Sequence, residues 1–169
     1  MVLVEQFDDA GLRDLTRRGD ELGVLSVYVN ADPSEDPNLA AAAIDLKNRF
    51  RELQRRVAED GAFERGRDVA TALERLWPQI ETLMTPAVSG RGRMAFAALA
   101  GEWTLQLESA MPVPNRLVLD SGPFIHPLLE LLDEGRRAGV VVITAENARL
   151  LEWHMGSLRT VQSMENEYV

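Results

Sequence analysis

The sequence predicts a mixed α/β fold in which a helical hairpin packs on a small β-sheet. Two consecutive segments carry apolar residues at intervals of three and four, the period of a helix that is buried on one side. Short runs rich in β-branched and aromatic residues stand before and after these segments, which is typical of strands. Turn residues separate the runs, so each of them defines one element.

The first elements lead into the hairpin. Asp8 and Asp9 are suited to cap a short helix that ends near Arg18. The run from Val24 to Asn30 is too short for a buried helix and predicts a strand. A loop rich in Asp, Pro and Ser follows it over residues 31–37.

The two long helices are the clearest elements in the sequence. The first stripe consists of Leu39, Ala43, Leu46, Phe50, Leu53 and Val57. The second stripe consists of Val69, Leu73, Leu76, Ile80 and Leu83. Because Gly61 ends the first helix, the two are predicted to fold back as an antiparallel hairpin. Pro78 removes one backbone donor and is expected to kink or restart the second helix.

The pattern changes after residue 90. Met94–Leu99 and Trp103–Leu107 flank a short turn and predict a β-hairpin. The proline-rich string Met111–Asn115 fits neither a central strand nor a helix, and indicates an exposed connector. We therefore place a first domain at 1–114 and a second at 115–169.

The second domain is predicted to be the beginning of an α/β unit. Arg116–Leu119 predicts a strand and Pro123–Glu134 a helix, and strands follow at Val140–Thr144, Arg149–His154 and Leu158–Val161. We expect these strands to form one sheet. With so few strands and one covering helix, the domain is expected to be incomplete within this chain.

Composition excludes several classes of function. The chain has no cysteine, which rules out disulfides, thiolate metal sites and a thiol nucleophile, and favours the cytoplasm. No stretch approaches the ~18 apolar residues of a membrane span, and the N-terminus does not resemble a signal peptide. The net charge of −9 disfavours generic coating of nucleic acid, although a local basic patch remains compatible with RNA.

The residues do not form a catalytic or metal-binding pattern. His126 and His154 are the only histidines, and neither has an obvious Asp or nucleophile partner in the sequence. Asp120-Ser121-Gly122 follows a strand but lacks the glycine of a nucleophile elbow, so a turn is the better interpretation. Ser89–Arg93 is either a flexible turn or an anion contact, and it lacks the ending of a P-loop. The sequence predicts no cofactor and no metal.

Basic residues concentrate on the hairpin of an otherwise acidic chain. One interpretation is a solvated face in which Asp45, Glu52, Glu59 and Glu64 pair with the cations at helical spacing. The other is a contact with ribosomal RNA. The candidate RNA-binding residues, including two from the Ser89–Arg93 turn, are Lys47, Arg51, Arg55, Arg56, Arg65, Arg67, Arg91 and Arg93.

The order of elements and several strings resemble the bacterial relatives of the archaeo-eukaryotic class 1 peptide-chain release factors. The strings are L-S-V-Y-V-N-A-D-P from Leu25, G-R-G-R-M-A-F-A from Gly90, the connector at Pro112, P-F-I-H-P-L-L-E-L-L-D-E from Pro123, and V-V-V-I-T-A-E-N-A-R-L-L-E-W-H-M-G from Val140. None of them is a catalytic signature. The resemblance lies in their arrangement along nearly the whole chain.

The resemblance implies a codon-facing N-terminal domain and the start of a ribonuclease-H-like α/β middle domain. In release factors the middle domain carries a Gly-Gly-Gln loop that helps water cleave peptidyl-tRNA. This sequence has no Gly-Gly pair, and the loop is expected just beyond Val169. The stretch Asp60–Gly66 also differs from the codon-reading Asn-Ile-Lys-Ser. Peptidyl-tRNA hydrolases of ribosome quality control and Balon-type hibernation factors are therefore the nearer analogies.

Two hypotheses follow. The first is a ribosome-associated, release-factor-like protein whose hairpin contacts rRNA, with tRNA as a further partner left open and neither membrane nor DNA expected. It carries no catalytic residues in this chain, although related proteins hydrolyse peptidyl-tRNA. The alternative is an acidic protein-interaction or regulatory module that has no RNA contact.

Overall fold

The computed structural model describes residues 1–34, 39–60 and 66–165, apart from the side chain of residue 60. Its helices are α1 (Asp9–Arg17), α2 (Leu39–Asp60), α3 (Gly66–Thr82) and α4 (His126–Glu134), with a 3-10 turn at Val4–Gln6. Its strands are β1 (Val2–Leu3), β2 (Val24–Asn30), β3 (Gly92–Ala98), β4 (Thr104–Ser109), β5 (Arg116–Asp120), β6 (Ala138–Ile143), β7 (Asn147–His154) and β8 (Ser157–Glu165). The predicted mixed α/β class is confirmed.

A five-stranded sheet separates the main body into two layers. Its strand order is β1-β4-β3-β2-β5, and all neighbours are antiparallel except β1 and β4. Successive side chains on a strand point to opposite faces. On β2, Leu25, Val27 and Val29 therefore face one core, while Tyr28 faces another.

The predicted hairpin of α2 and α3 covers one face of this sheet. Leu46, Phe50 and Leu53 of α2 pack with Leu73 and Leu76 of α3, on the alternate residues of β2 and β3. The opposite face is covered by α1 and α4. Their apolar residues pack around Tyr28, Met94 and Phe96. The sheet thus isolates the surface of the hairpin from the surface formed by α1 and α4.

The position of β5 differs from the prediction that it would form one sheet with the last three strands. It pairs antiparallel with β2, with Leu117 opposite Val27 and Leu119 opposite Leu25. Both leucines pack against the core beneath the hairpin. The following segment is also held by β2, because the Phe124 amide donates a 2.9 Å hydrogen bond to Ser26 Oγ. Filling the second edge of the apolar strand β2 explains this placement.

The sequence led us to expect that Pro78 would kink or restart α3, and the structure shows no restart. The helix continues through it to Thr82 as one element. Pro78 is exposed on the side of α3 away from the core. The backbone group that it leaves unpaired can therefore be solvated.

The strands β6, β7 and β8 form a separate antiparallel sheet. Its attachment to the main body includes Met155, whose amide donates a 3.1 Å hydrogen bond to the Gly135 carbonyl and whose side chain joins the core of α1 and α4. Apolar side chains on β6 and β8 are exposed, up to 75% for Ile143. The assignment of 115–169 to a ribonuclease-H-like domain remains a prediction.

Candidate nucleic-acid interface

The core stripe of α2 determines where its cations point. Because Leu46, Phe50, Leu53 and Val57 face the sheet, the positions between them face solvent. Lys47, Arg51, Arg55 and Arg56 are all exposed. Lys47 and Arg51 are four residues apart and share one flank of the helix, whereas Arg56 lies about 140° further around it. Arg67 is exposed at the start of α3, and Arg65 lies outside the described residues.

Arg55 is neutralised by carboxylates of its own helix. Its guanidinium donates to Glu52 at 2.7 and 3.0 Å and to Glu59 at 3.0 and 3.3 Å. The hydrogen bond between Arg55 and Glu52 lowers the pKa of Glu52 and raises the pKa of Arg55. Arg49 is paired in the same way with Asp45 at 2.7 Å. For these two arginines the interpretation as a salt-bridged helix face therefore holds.

Lys47, Arg51, Arg56 and Arg67 differ from Arg55. In the described part of the chain, no ion pair or hydrogen bond engages their side chains, although the charge of Arg56 also acts on Glu52 and helps to lower the pKa of that carboxyl. A cation without a carboxylate partner keeps its capacity to bind an external anion. The hairpin therefore combines arginines neutralised within α2, Arg49 and Arg55, with cations on α2 and at the start of α3 that have no ion-pair partner among the described residues.

Lys47 and Arg51 border a pocket between the two helices, with a cavity volume of about 270 Å³. It is lined by Lys47, Phe50, Arg51, Gln54, Glu74 and Trp77. The indole of Trp77 packs on the ring of Phe50, with ring centroids 4.5 Å apart and planes tilted by 41°. Trp77 was not among the residues that the sequence predicted to bind RNA. One signal for it was available in the sequence: Trp77 directly follows the core residue Leu76, so its large aromatic side chain lies at the edge of the apolar stripe, where it is partly exposed.

Arg91 is bound to a buried carboxylate. The side chain of Asp32 is 2% exposed and accepts hydrogen bonds from the Arg91 guanidinium, including one from Nε at 2.7 Å. It also accepts from the amide and hydroxyl of Ser34, at 2.9 and 2.7 Å. The hydrogen bond from Arg91, followed by those from Ser34, lowers the pKa of Asp32 to about 2. Arg91 thus fixes residues 32–34, just after β2.

We expect acid to weaken the fold through Asp32. Its pKa is about 2 in the folded protein and 3.8 ordinarily, so the unfolded chain binds the proton first as the pH falls. The stabilisation is complete above about pH 4 and is lost progressively between 3.8 and 2. Urea unfolding of wild type and Asp32→Asn at pH 6, 4 and 3 checks this. The difference between the two should shrink towards pH 3, and a constant difference would contradict it.

Arg93 is a buried structural residue. It is 4% exposed, and Nη1 donates to the carbonyls of Leu83 and Thr85 at 2.7 and 2.8 Å. Nη2 donates to the Val88 carbonyl. Burial lowers the pKa of the guanidinium, opposed by the charge of Glu108. These carbonyls follow α3, so Arg93 satisfies the end of that helix, and its donors are not free for a phosphate.

Comparisons with known proteins show what the chain is similar to. Residues 123–169 match the model of bacterial archaeo-eukaryotic release factor family 10. The chain is release-factor-like. One solved structure, described as an archaeal protein, is 13% identical with a TM-score of 0.56, covering 98% of this chain and 46% of that one. The archaeal translation termination factor aRF1 is 16% identical with a TM-score of 0.50, covering 91% of this chain and 42% of that factor. No curated protein matches.

These comparisons define the extent of the likeness. The structural matches show a shared fold across most of the release-factor-like chain, and the family match covers its last 47 residues, 123–169. The chain spans less than half of the length of either solved protein. The candidate RNA-binding residues lie outside the segment matched by the family model, so their role remains a prediction.

The histidines of the release-factor-like chain lie apart from the basic pocket. His126 opens α4 and lies 3.3 Å from Glu130 on the exposed face of that helix. His154 is half-buried on β7, beside Glu152, which pairs with Arg159 at 2.9 Å. The described residues contain no group of three or more His, Cys, Asp or Glu that could hold a metal. No helix among them is long and apolar enough to cross a membrane.

The Asp120-Ser121-Gly122 string forms the exposed turn at the end of β5. The amide and hydroxyl of Ser121 donate to Asp120 Oδ1 at 2.6 and 3.2 Å. This local arrangement agrees with the interpretation of the string as a turn.

Proposed function

We propose that this chain is a ribosome-associated translation protein that contacts ribosomal RNA through the hairpin of α2 and α3. The observation that carries the proposal is the pair of exposed cations Lys47 and Arg51 on one flank of α2, neither of which has an ion-pair partner within residues 1–34, 39–60 and 66–165. Arg56 and Arg67 extend the contact along the hairpin. Within the family, the peptidyl-tRNA hydrolase and hibernation types are the candidate roles, and the site of action is the cytoplasm.

The charges of the chain limit how many cations of the hairpin can contribute to binding. With a net charge of −9, the chain as a whole repels phosphate backbones. Arg55, Arg91 and Arg93 already satisfy protein acceptors, so their contribution to binding is small. Lys47, Arg51 and Arg67, which have no carboxylate partner among the described residues, imply a salt dependence with a slope of about −2 to −3 in log affinity against log salt.

Reversing two charges is expected to remove most ribosome binding. The variant Lys47→Glu/Arg51→Glu should weaken co-sedimentation with ribosomes by at least about tenfold at low salt, because two attractive contacts with phosphate become repulsive. Arg13→Glu/Arg17→Glu is the matched control, since it changes the net charge equally and both arginines are exposed on α1, across the sheet from the hairpin. Binding that is unaffected by the double reversal, or no binding by wild type, would refute the proposal.

A groove between α1 and α4 favours the alternative function of protein interaction. It has a volume of about 530 Å³ and an apolar floor that includes Leu129, which is 41% exposed. Acidic residues on its rim include Asp8, Asp9 and Asp133, of which Asp133 pairs with Arg136 at 2.6 Å. The complementary partner is a basic amphipathic helix of another protein.

Nuclease treatment separates the two functions in the same sedimentation experiment. RNA-mediated binding should be lost when the rRNA is digested. The protein-interaction function would be favoured, and the RNA contact excluded, if the binding resists nuclease. In that case Leu129→Ser should weaken the binding, and the double reversal on α2 should leave it unchanged.

A further inference from the structure

We propose that the pocket beside Trp77 takes one unpaired nucleobase of an RNA strand. The inference rests on the proposed function, because it names the part of the RNA that the hairpin would hold. It adds a binding mode that depends on the base itself, whereas the cations of α2 read only phosphate charge. The pocket has a volume of about 270 Å³ and is open to solvent.

An aromatic wall is the first argument for a base. Unpaired bases in RNA-binding proteins stack on aromatic side chains, because every base has a flat π-face. Trp77 is half-buried, so part of its indole is covered by α2 and part faces the pocket. Its contact with the ring of Phe50, at 4.5 Å between centroids, holds the indole in place before a ligand arrives. A stacking surface that is already ordered loses little entropy on binding.

The two cations explain why the base would belong to a strand. Lys47 and Arg51 lie one helical turn apart, about 6 Å along α2, at the mouth of the pocket. In the described part of the chain neither has a carboxylate partner. A free nucleotide of one phosphate would occupy one of them. A strand that passes along α2 engages both, on either side of the base that it inserts.

Glu74 is the residue that a phosphate site would not contain. It is exposed on α3 and lines the same pocket, opposite the cations of α2. Its carboxylate repels phosphate but accepts hydrogen bonds from an exocyclic amino group, which adenine, cytosine and guanine carry and uracil lacks. Gln54, on the α2 side of the pocket, can both donate and accept hydrogen bonds. The pocket should therefore prefer a base with an amino group over uracil.

Short labelled RNA strands test this inference by fluorescence anisotropy. We would compare five-nucleotide strands that differ at the centre: adenosine, uridine or an abasic ribose between uridines, with adenosine monophosphate as a competitor. The adenosine strand should bind about tenfold tighter than the abasic strand, in line with the usual contribution of one stacked base. Equal affinity for the adenosine and abasic strands would overturn the inference. Competition by the mononucleotide at the affinity of the strand would also overturn it, in favour of a small-molecule site.

Variants assign the effect to individual side chains. Trp77→Leu should abolish the difference between the adenosine and abasic strands, Trp77→Phe should retain part of it, and Trp103→Leu on the opposite side of the sheet should retain all of it. Glu74→Ala should remove the preference for adenosine over uridine. If Glu74→Ala instead strengthens all strands equally and Trp77→Leu leaves the difference between the adenosine and abasic strands unchanged, the pocket does not hold the base and the inference fails. Circular dichroism verifies that each variant is folded.

The inference and the proposed function fail in different experiments. Equal affinity for intact and abasic strands would eliminate the base pocket while ribosome sedimentation and its dependence on Lys47 and Arg51 persist. Absence of ribosome binding by the wild-type protein would refute the proposed function whatever the short strands show.

Discussion

Replacing Arg93 with leucine is expected to lower the free energy of unfolding by about 3 kcal/mol, because the carbonyls it satisfies lose their donor. Arg93 is 4% exposed and donates to Leu83, Thr85 and Val88. Leucine fills most of the volume but donates nothing. The loss is measured as a lower urea midpoint at unchanged m value.

Two comparisons interpret the Arg93 result. Arg93→Lys keeps a cation with three donors, but without the planar fork of arginine, so its loss should be intermediate. Arg116→Leu at the exposed start of β5 is the matched control and should change stability by less than about 0.5 kcal/mol. A midpoint for Arg93→Leu equal to wild type would contradict the structural role. In the folded fraction, ribosome sedimentation should be unchanged, since Arg93 is inaccessible to phosphate.

Local patterning predicted the hairpin and most strands because each of them carries its own period. The stripes of α2 and α3 identify the buried face without knowledge of what covers it. The partner of β5 was not predictable in this way. The alternation of side chains along β5 shows that one face of the strand is buried. Whether β5 pairs with β2 or with a later strand depends on which strand has an unpaired edge in the folded protein.

The candidate interface was predictable in composition but not in accessibility. Sequence spacing places both Arg55 and Arg56 three or four residues from Glu52 and Glu59, so it does not decide which of the two arginines is neutralised. The structure separates them, because Arg55 takes both carboxylates. In the sequence Arg93 follows Gly90 and Gly92 in an apparent turn, which predicts an exposed arginine. In the structure it is buried against the carbonyls that follow α3. Pocket formation at Trp77 required the relative placement of two helices.

The junction between the two sheets depends on an unusual turn at Met155. This residue has φ of 48° and Gly156 has φ of 80°, both positive, which matches the two-residue turn that joins β7 to β8. Methionine rarely adopts this conformation. Its side chain is 2% exposed and packs with the core that includes Leu128 and Leu131 of α4. Burial of the side chain offsets the backbone strain and fixes the small sheet to the helix.

Met155→Ala is expected to lower the free energy of unfolding by about 3 kcal/mol, because a buried side chain is replaced by a cavity. Gly135→Ala should also destabilise, since the added Cβ would lie 1.9 Å from Met155 Sδ and 2.9 Å from the Leu131 carbonyl. In the Met155→Ala background the first clash is gone, so Gly135→Ala should cost less there than in wild type. A double-mutant cycle by urea unfolding measures this coupling. Strictly additive effects would show that Met155 does not fill the space beside Gly135.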